Sequence, residues 1–141
     1  LAKRTTIDKE HFSPIIEAMH SVFKKGGTGQ YSQVKGIEIC GKTGTAENFI
    51  RINGKKEQLP DHSILVAFAP KENPKIAIAV FVENGGYGST IAAPITSLLI
   101  EKYLKGKVER TWIEQNMLTK NLQHIYDKQI PKPLEIASGT K

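Results

Sequence analysis

The densest run of chemistry-bearing residues is Ile39-Cys40-Gly41-Lys42-Thr43-Gly44-Thr45-Ala46-Glu47, where one ammonium, two hydroxyls and two glycines fall within residues 41–45. A cation, hydroxyl donors and unobstructed backbone in one place suit the gripping of a carboxylate and an oxyanion. Residues 36–43 also satisfy G-x-x-x-x-G-K-[ST], the phosphate-loop pattern. The local physics opposes that second use. A phosphate loop needs flexible positions whose N–H groups curl round the anion, after a buried strand and at the start of a helix. Here those positions are Ile37-Glu38-Ile39-Cys40, which prefer extended backbone; residues 30–35 before them are polar, and Gly44-Thr45 starts a helix poorly. A P-loop nucleotide-binding protein stands as the alternative enzyme class, and a non-catalytic binding module as the alternative outside enzymes.

The other candidates are weaker. Cys40 is the single cysteine, so it has no intramolecular disulfide partner, and inside an apolar stretch it reads as a small packed hydrophobe. The four histidines, His11, His20, His62 and His124, show no metal-ligand spacing, so neither a metal nor a cofactor is expected. Asp61-His62 reads as a polar pair at a strand entry, Glu83 as a strand-end carboxylate, and Trp112 as core or interface. Ser-x-x-K occurs at Ser21, Ser32 and Ser138. A nucleophilic serine of that kind must open a buried helix so that its lysine, one turn on, is desolvated. Ser21 falls at a helix tail, Ser32 in a glycine-rich loop and Ser138 in the tail of the chain, so no nucleophile is expected in this chain.

These residues need elements to position them. Ser13 and Pro14 suit a helix start, and Ile15, Ile16, Met19, Val22 and Phe23 recur at helical spacing until Gly26-Gly27. Residues 26–32 read as a loop and 36–45 as a short strand with Ile37 and Ile39 on one parity. Asn53-Gly54 predicts an exposed side hairpin. Residues 63–69 and 75–82 read as strands covered on both faces, antiparallel across the short connection 70–74. After a glycine-rich loop, Ser89 or Thr90 can cap a helix with the stripe Ile91, Ile95, Leu98, Leu99 and Tyr103, ending near Gly106. A last helix is predicted over 111–126, stopped by Pro131 and Pro133. The fold class is therefore α+β: an antiparallel β-sheet of three core strands plus a side hairpin, covered by helices.

Composition bounds the rest. With 141 residues, 39% of them hydrophobic, the chain supports one core, and 24% charged residues mark a folded protein. The net charge of +6 (20 basic, 14 acidic) is scattered, with basic residues never running longer than a pair, so nucleic acid is not an expected partner. The longest apolar stretches are too short to cross a bilayer. The chain begins Leu1-Ala2, so it is expected to be a fragment, with any targeting segment upstream.

Lys42-Thr43-Gly44 matches the K-T-G element of penicillin-binding proteins and serine β-lactamases. Its context extends the match through Asp61-His62-Ser63, Phe68-Ala69-Pro70, Val82-Glu83-Asn84-Gly85-Gly86 and Ala92-Ala93-Pro94-Ile95. Over roughly residues 13–104 the chain resembles the C-terminal part of class B peptidoglycan D,D-transpeptidases of the penicillin-binding protein 2 type, which serve cell elongation. The resemblance implies a partial transpeptidase (β-lactamase-like) domain over 1–106; past Gly106 it carries nothing, and the residues themselves read as a helical extension over 107–130 and a disordered tail over 131–141. The resemblance further implies that Lys42 sits beside the catalytic serine's relay and attracts the substrate carboxylate, which the Thr43 and Thr45 hydroxyls bind. The Thr45 backbone N–H becomes an oxyanion donor, and Gly44 leaves room for a substrate lying along the strand edge. The implied partners are peptidoglycan stem peptides ending in D-Ala-D-Ala, β-lactams and other cell-elongation proteins. The implied location is the periplasmic side of the inner membrane, reached through an N-terminal anchor absent from this chain. The family also uses an upstream S-x-x-K and an S-x-N; no Ser-x-Asn occurs here. A truncated domain that keeps the oxyanion side and lacks the nucleophile accounts for this departure.

Overall fold

The computed structural model describes residues 5–129. Two long strands, β1 (Cys40–Ile52) and β2 (Lys55–Ala69), are joined at Asn53-Gly54, and β3 (Ile76–Val82) pairs antiparallel with the inner part of β2. Asn53 and Gly54 both take positive φ (51° and 77°), the backbone a two-residue turn needs to match the twist of its strands. The hairpin is therefore not a separate side element: β1 and β2 run from the core straight into it. A register shift falls between Ala46, opposite His62, and Asn48, opposite Leu59, and leaves Glu47 on one strand and Pro60 and Asp61 on the other outside the pairing. β1 also begins later than its alternation suggests. Ile37 is taken into a tight turn by its N–H bond to Val34 O (3.0 Å), with Gly36 at φ 79°.

The sheet order is β1-β2-β3, and its two faces differ. On one face Ser63, Leu65, Ala67 and Ala69 are buried beneath α2 (Ala92–Lys105); on the other Val66 is 45% and Phe81 56% exposed. The expectation that 63–69 and 75–82 are covered on both faces is corrected, because β3 is an outer strand and α1 (Phe12–Ser21) packs chiefly over β1, with Met19 alone bordering Val66 and Ala79. The core gathers Phe23, Val34, Ile39, Leu65, Ala67, Ala92, Ala93 and Ile100.

α1 starts one residue before the predicted Ser13 cap, following a 3-10 turn at Lys9–His11, and no side chain caps it. Lys71, from the β2–β3 connection, ion-pairs with Glu17, and this hydrogen bond holds the Glu17 carboxyl below its ordinary range. For α2, neither Ser89 nor Thr90 serves as cap. The buried Ser63 hydroxyl accepts from Ala92 N (3.1 Å) and donates to Tyr87 O (2.9 Å), tying the helix start to the central strand. The apolar stripe foreseen for α2 is corrected in part: Ile91 and Leu98 are buried, but Leu99 and Tyr103 are exposed, and Ala92, Ala93, Thr96, Ser97, Ile100 and Glu101 are buried beside them. Small residues let the helix lie close to the sheet. Glu101 survives burial because Arg110 Nε reaches its carboxylate at 3.1 Å. The same guanidinium donates to Gln33 O (3.0 Å) and Ser97 Oγ (3.2 Å).

The predicted last helix is two pieces, α3 (Thr111–Leu118) and α4 (Gln123–Gln129). The Thr119 hydroxyl bonds back to Gln115 O (2.8 Å), and Asn121 Oδ1 accepts from Gln123 N (2.7 Å), a local stop and restart. Trp112 is 70% exposed, not core, and Ile113 takes the buried position. The tail 131–141, with Ser138 and the two prolines, lies outside the described residues. Among the described residues no helix is long and apolar enough to cross a membrane.

Candidate functional site

Lys42, Thr43, Gly44 and Thr45 all lie on β1, at an outer edge of the sheet. Strand alternation separates them into two sets. Lys42 and Gly44 face the side of Val66 and Ile64, while Thr43 and Thr45 face the side of Leu65 and Ser63. Lys42 is exposed and its Nζ donates to Thr43 O at 2.6 Å. Thr43 is half-buried, its hydroxyl 2.9 Å from that of Thr28; Thr45 is exposed.

Glycines on both sides bring the strand into place. At Gly41 a Cβ would stand 2.7 Å from Val66 O and 3.0 Å from the Phe23 ring, so only glycine lets Phe23 pack against β1. At Gly88 a Cβ would stand 2.4 Å from Ile64 O and 2.6 Å from Gly44 O, so the glycine loop lies directly on the backbone of the site. A depression of about 540 Å³ opens beside β1, lined by Ser21, Lys25, Gly27, Thr28, Lys42 and Thr43 among others. Two ammonium groups and three hydroxyls share it, a setting for an anion.

The nucleotide alternative fails on geometry. Residues 40–43 are extended strand, and the next α-helix begins only at Ala92, so no helix N-terminus stands behind Lys42. Ser21 does lie in the depression, but it is the last residue of α1, its hydroxyl is spent on Glu17 O (2.9 Å), and Lys24 lies past the helix end. Ser32 is buried in a 3-10 turn on the Arg110 side, with Lys35 exposed. Neither opens a helix with a desolvated lysine. Cys40 is wholly buried, and burial pushes its thiol up, as a packed hydrophobe requires. His62 Nδ1 accepts from Asn84 N (3.1 Å) and Asp61 O accepts from Gly86 N (2.8 Å), so this pair secures the glycine turn. The Glu83 carbonyl accepts from Tyr126 Oη (3.3 Å). Thr28 is the site residue that the spacing of side chains did not single out. The only signal was a hydroxyl set among glycines, Gly26-Gly27-Thr28-Gly29.

Residues 2–101 match the penicillin binding protein transpeptidase domain. The chain belongs to that family. Among its curated relatives, peptidoglycan D,D-transpeptidase PbpA of Mycobacterium tuberculosis is 40% identical over 83 residues, 55% of this chain and 16% of that protein. Peptidoglycan D,D-transpeptidase FtsI of Buchnera aphidicola is 34% identical over 109 residues, 74% of this chain and 18% of that protein. Among solved structures, the imipenem acyl-enzyme of penicillin-binding protein A from M. tuberculosis superposes with a TM-score of 0.56 at 34% identity, covering 72% of this chain and 21% of that one. Penicillin-binding protein 2 of Pseudomonas aeruginosa, in complex with WCK 5153, gives 0.57 at 29% identity, covering 77% and 23%. The chain thus spans about a fifth of the length of these transpeptidases, and the three-stranded sheet with its helices is a partial α+β domain of their kind.

Proposed function

We propose that this chain is the carboxylate- and oxyanion-binding piece of a serine-type peptidoglycan D,D-transpeptidase whose nucleophile lies outside it. The observation that carries this is the placement of Lys42-Thr43-Gly44-Thr45 on an outermost strand beside an open depression. The donor stem lies along the β1 edge by strand addition, and its terminal D-Ala carboxylate is held by the Lys42 charge and the Thr43 and Thr45 hydroxyls. The serine oxygen attacks the carbonyl of the penultimate D-Ala; the bond to the terminal D-Ala nitrogen breaks, that D-Ala leaves as the free amino acid, and an acyl-enzyme remains. The Thr45 N–H stabilises the oxyanion formed on the way, an effect worth roughly 3 kcal/mol of barrier. An amine of a neighbouring stem then takes the acyl group. β-Lactams occupy the same site, a reading supported by the acyl-enzyme complex of the M. tuberculosis relative. Residues 1–106 form the transpeptidase portion and 107–130 an extension; the whole protein works at the periplasmic face of the membrane, anchored by a segment outside this chain.

Two observations support the status of a piece: the small share of each relative that the chain covers, and the open sheet face at Val66 and Phe81, apolar surface of the sort that domains bury. The test is a titration of the chain with N-acetyl-D-Ala-D-Ala, followed by amide NMR, together with labelling by a fluorescent penicillin. Lys42, Thr43, Gly44 and Thr45 amides shift with the free acid and not with the C-terminal amide, and no covalent label appears. Stoichiometric labelling at Ser21 or Ser32, or the absence of any acid-specific shift, overturns the proposal.

A further inference from the structure

Thr28 reaches the site by a route built for it. At Gly27 a Cβ would lie 2.3 Å from both Ser21 O and Val22 O, so the turn after α1 closes more tightly than any side chain allows. Backbone bonds from Gly27 N to Lys24 O (2.9 Å) and from Gly29 N to Val22 O (2.8 Å) flank Thr28 on either side. Gly26 takes φ 87°, in the left-handed region that favours glycine. The exposed side chain at the tip of this turn is Thr28, and its hydroxyl stands 2.9 Å from the Thr43 hydroxyl.

We propose that Thr28 is a positioning residue: its hydroxyl fixes that of Thr43 so that Thr43 presents its proton to the substrate's terminal carboxylate. This rests on the carboxylate reading of the site. A hydroxyl carries one proton and two acceptor lone pairs. A carboxylate only accepts, so Thr43 must donate to it, which leaves both Thr43 lone pairs open to a donor from the protein. Thr28 is that donor. The relay runs from the Thr28 O–H to Thr43 Oγ1 and from the Thr43 O–H to the carboxylate, and each bond polarises the next. Before substrate arrives either hydroxyl can donate; the anion selects the direction. The glycine turn holds Thr28 in advance, so the cost of ordering the Thr43 rotor is met during folding instead of on binding.

Thr28 is exposed and contributes nothing to the core, so Thr28→Val, which keeps the shape and removes the hydroxyl, leaves the fold intact. Two readouts separate this inference from the reading beneath it. Three-bond couplings of Thr43 in the free chain report its χ1: a single rotamer in the native chain, averaged in Thr28→Val and largely restored in Thr28→Ser. Titration with N-acetyl-D-Ala-D-Ala reports affinity: roughly three- to tenfold weaker in Thr28→Val. In a Thr43→Val background the same change has no further effect. A native-like Thr43 rotamer with unchanged affinity in Thr28→Val overturns the positioning role while leaving the carboxylate site standing. A native chain whose 42–45 amides ignore the free acid removes the carboxylate reading and this inference with it, whatever the couplings show.

Discussion

The two halves of the β1–β2 ribbon share one backbone ladder and differ in almost everything else. On the inner side of the Glu47 bulge, β1 from Cys40 to Ala46 lies against β2 from His62 to Phe68, with Leu65 fully buried and β3 continuing the sheet. On the outer side, Asn48 to Ile52 pairs only with Lys55 to Leu59; Phe49 and Ile52 are about as exposed as Val66 on the open face, at 43% and 42%. Apart from Asn48 Nδ2, which donates to the buried Asn84 Oδ1 (2.7 Å) at its base, its side-chain contacts lie at the surface, such as Lys56 Nζ 4.3 Å from the Phe49 ring centroid. Strand pairing alone holds a two-stranded ribbon only marginally; packing on a third strand or a helix makes it rigid. The four residues of the candidate site all lie on the packed half. Gly88 pins the backbone of Gly44 on one flank and the Thr28 turn meets Thr43 on the other.

The largest expected effect separates the halves directly. Leu65→Ala removes a fully buried side chain beneath α2 and is expected to cost about 3 kcal/mol in urea denaturation. Ile52→Ala, near the hairpin tip, is expected to change stability by less than about 0.5 kcal/mol. Equal losses would mean that the outer ribbon packs on something as firmly as the inner one does.

The same division explains what the amino-acid order made visible. Local signals carried well: the Asn53-Gly54 turn, the apolar runs flanking residues 70–74, the Gly106 stop of α2 (φ 77°) and the Lys-Thr-Gly-Thr run were legible because residues adjacent in sequence determine them. Contacts between distant residues were not. Hydrophobicity pointed α2 inward along Ile91, Ile95, Leu98, Leu99 and Tyr103; Ile91 and Leu98 are buried, but Leu99 and Tyr103 are exposed, and the rest of the face that meets the sheet is made by small residues and by a carboxylate whose partner, Arg110, lies nine residues on. The cap of α2 comes from Ser63, 29 residues before Ala92, and no cap rule applied to neighbouring residues could find it. In the site, the residue types of 42–45 announced anion chemistry, whereas Thr28 became visible only through a contact across 15 residues.

A smaller loss is expected where the glycine loop meets the site. Gly88→Ala drives a methyl against two backbone carbonyls, Ile64 O and Gly44 O, neither of which can swing aside as a flexible side chain would. The cost is expected to be about 2 kcal/mol, within the range for overpacking. Because one displaced carbonyl belongs to Gly44 in the site and the other to Ile64, its pairing partner on β2, amide shifts in the variant should concentrate on residues 42–45 and their partners 63–66 and leave the outer ribbon unmoved. Shifts spread evenly over both halves would show that the bulge does not insulate one from the other.

The smallest effect is the sharpest probe of the comparison. Deleting Arg51, Ile52, Lys55 and Lys56 shortens the ribbon by two residues on each strand and rejoins Ile50 and Glu57 through Asn53-Gly54. An even deletion keeps every remaining side chain on its original face, which the loss of one residue per strand would not. Ile50 and Glu57 already pair across the ribbon, so the ladder below them needs no change of register. None of the four deleted residues is buried, and the turn retains the residue pair its positive φ angles require. The unfolding free energy is therefore expected to stay within about 0.5 kcal/mol of the parent, with the 42–45 amides and their response to N-acetyl-D-Ala-D-Ala unchanged. A loss of stability above about 2 kcal/mol, or a displaced site, would place the origin of the strand's rigidity in the hairpin tip instead of in the packing of Leu65, Phe23 and Gly88 around its base.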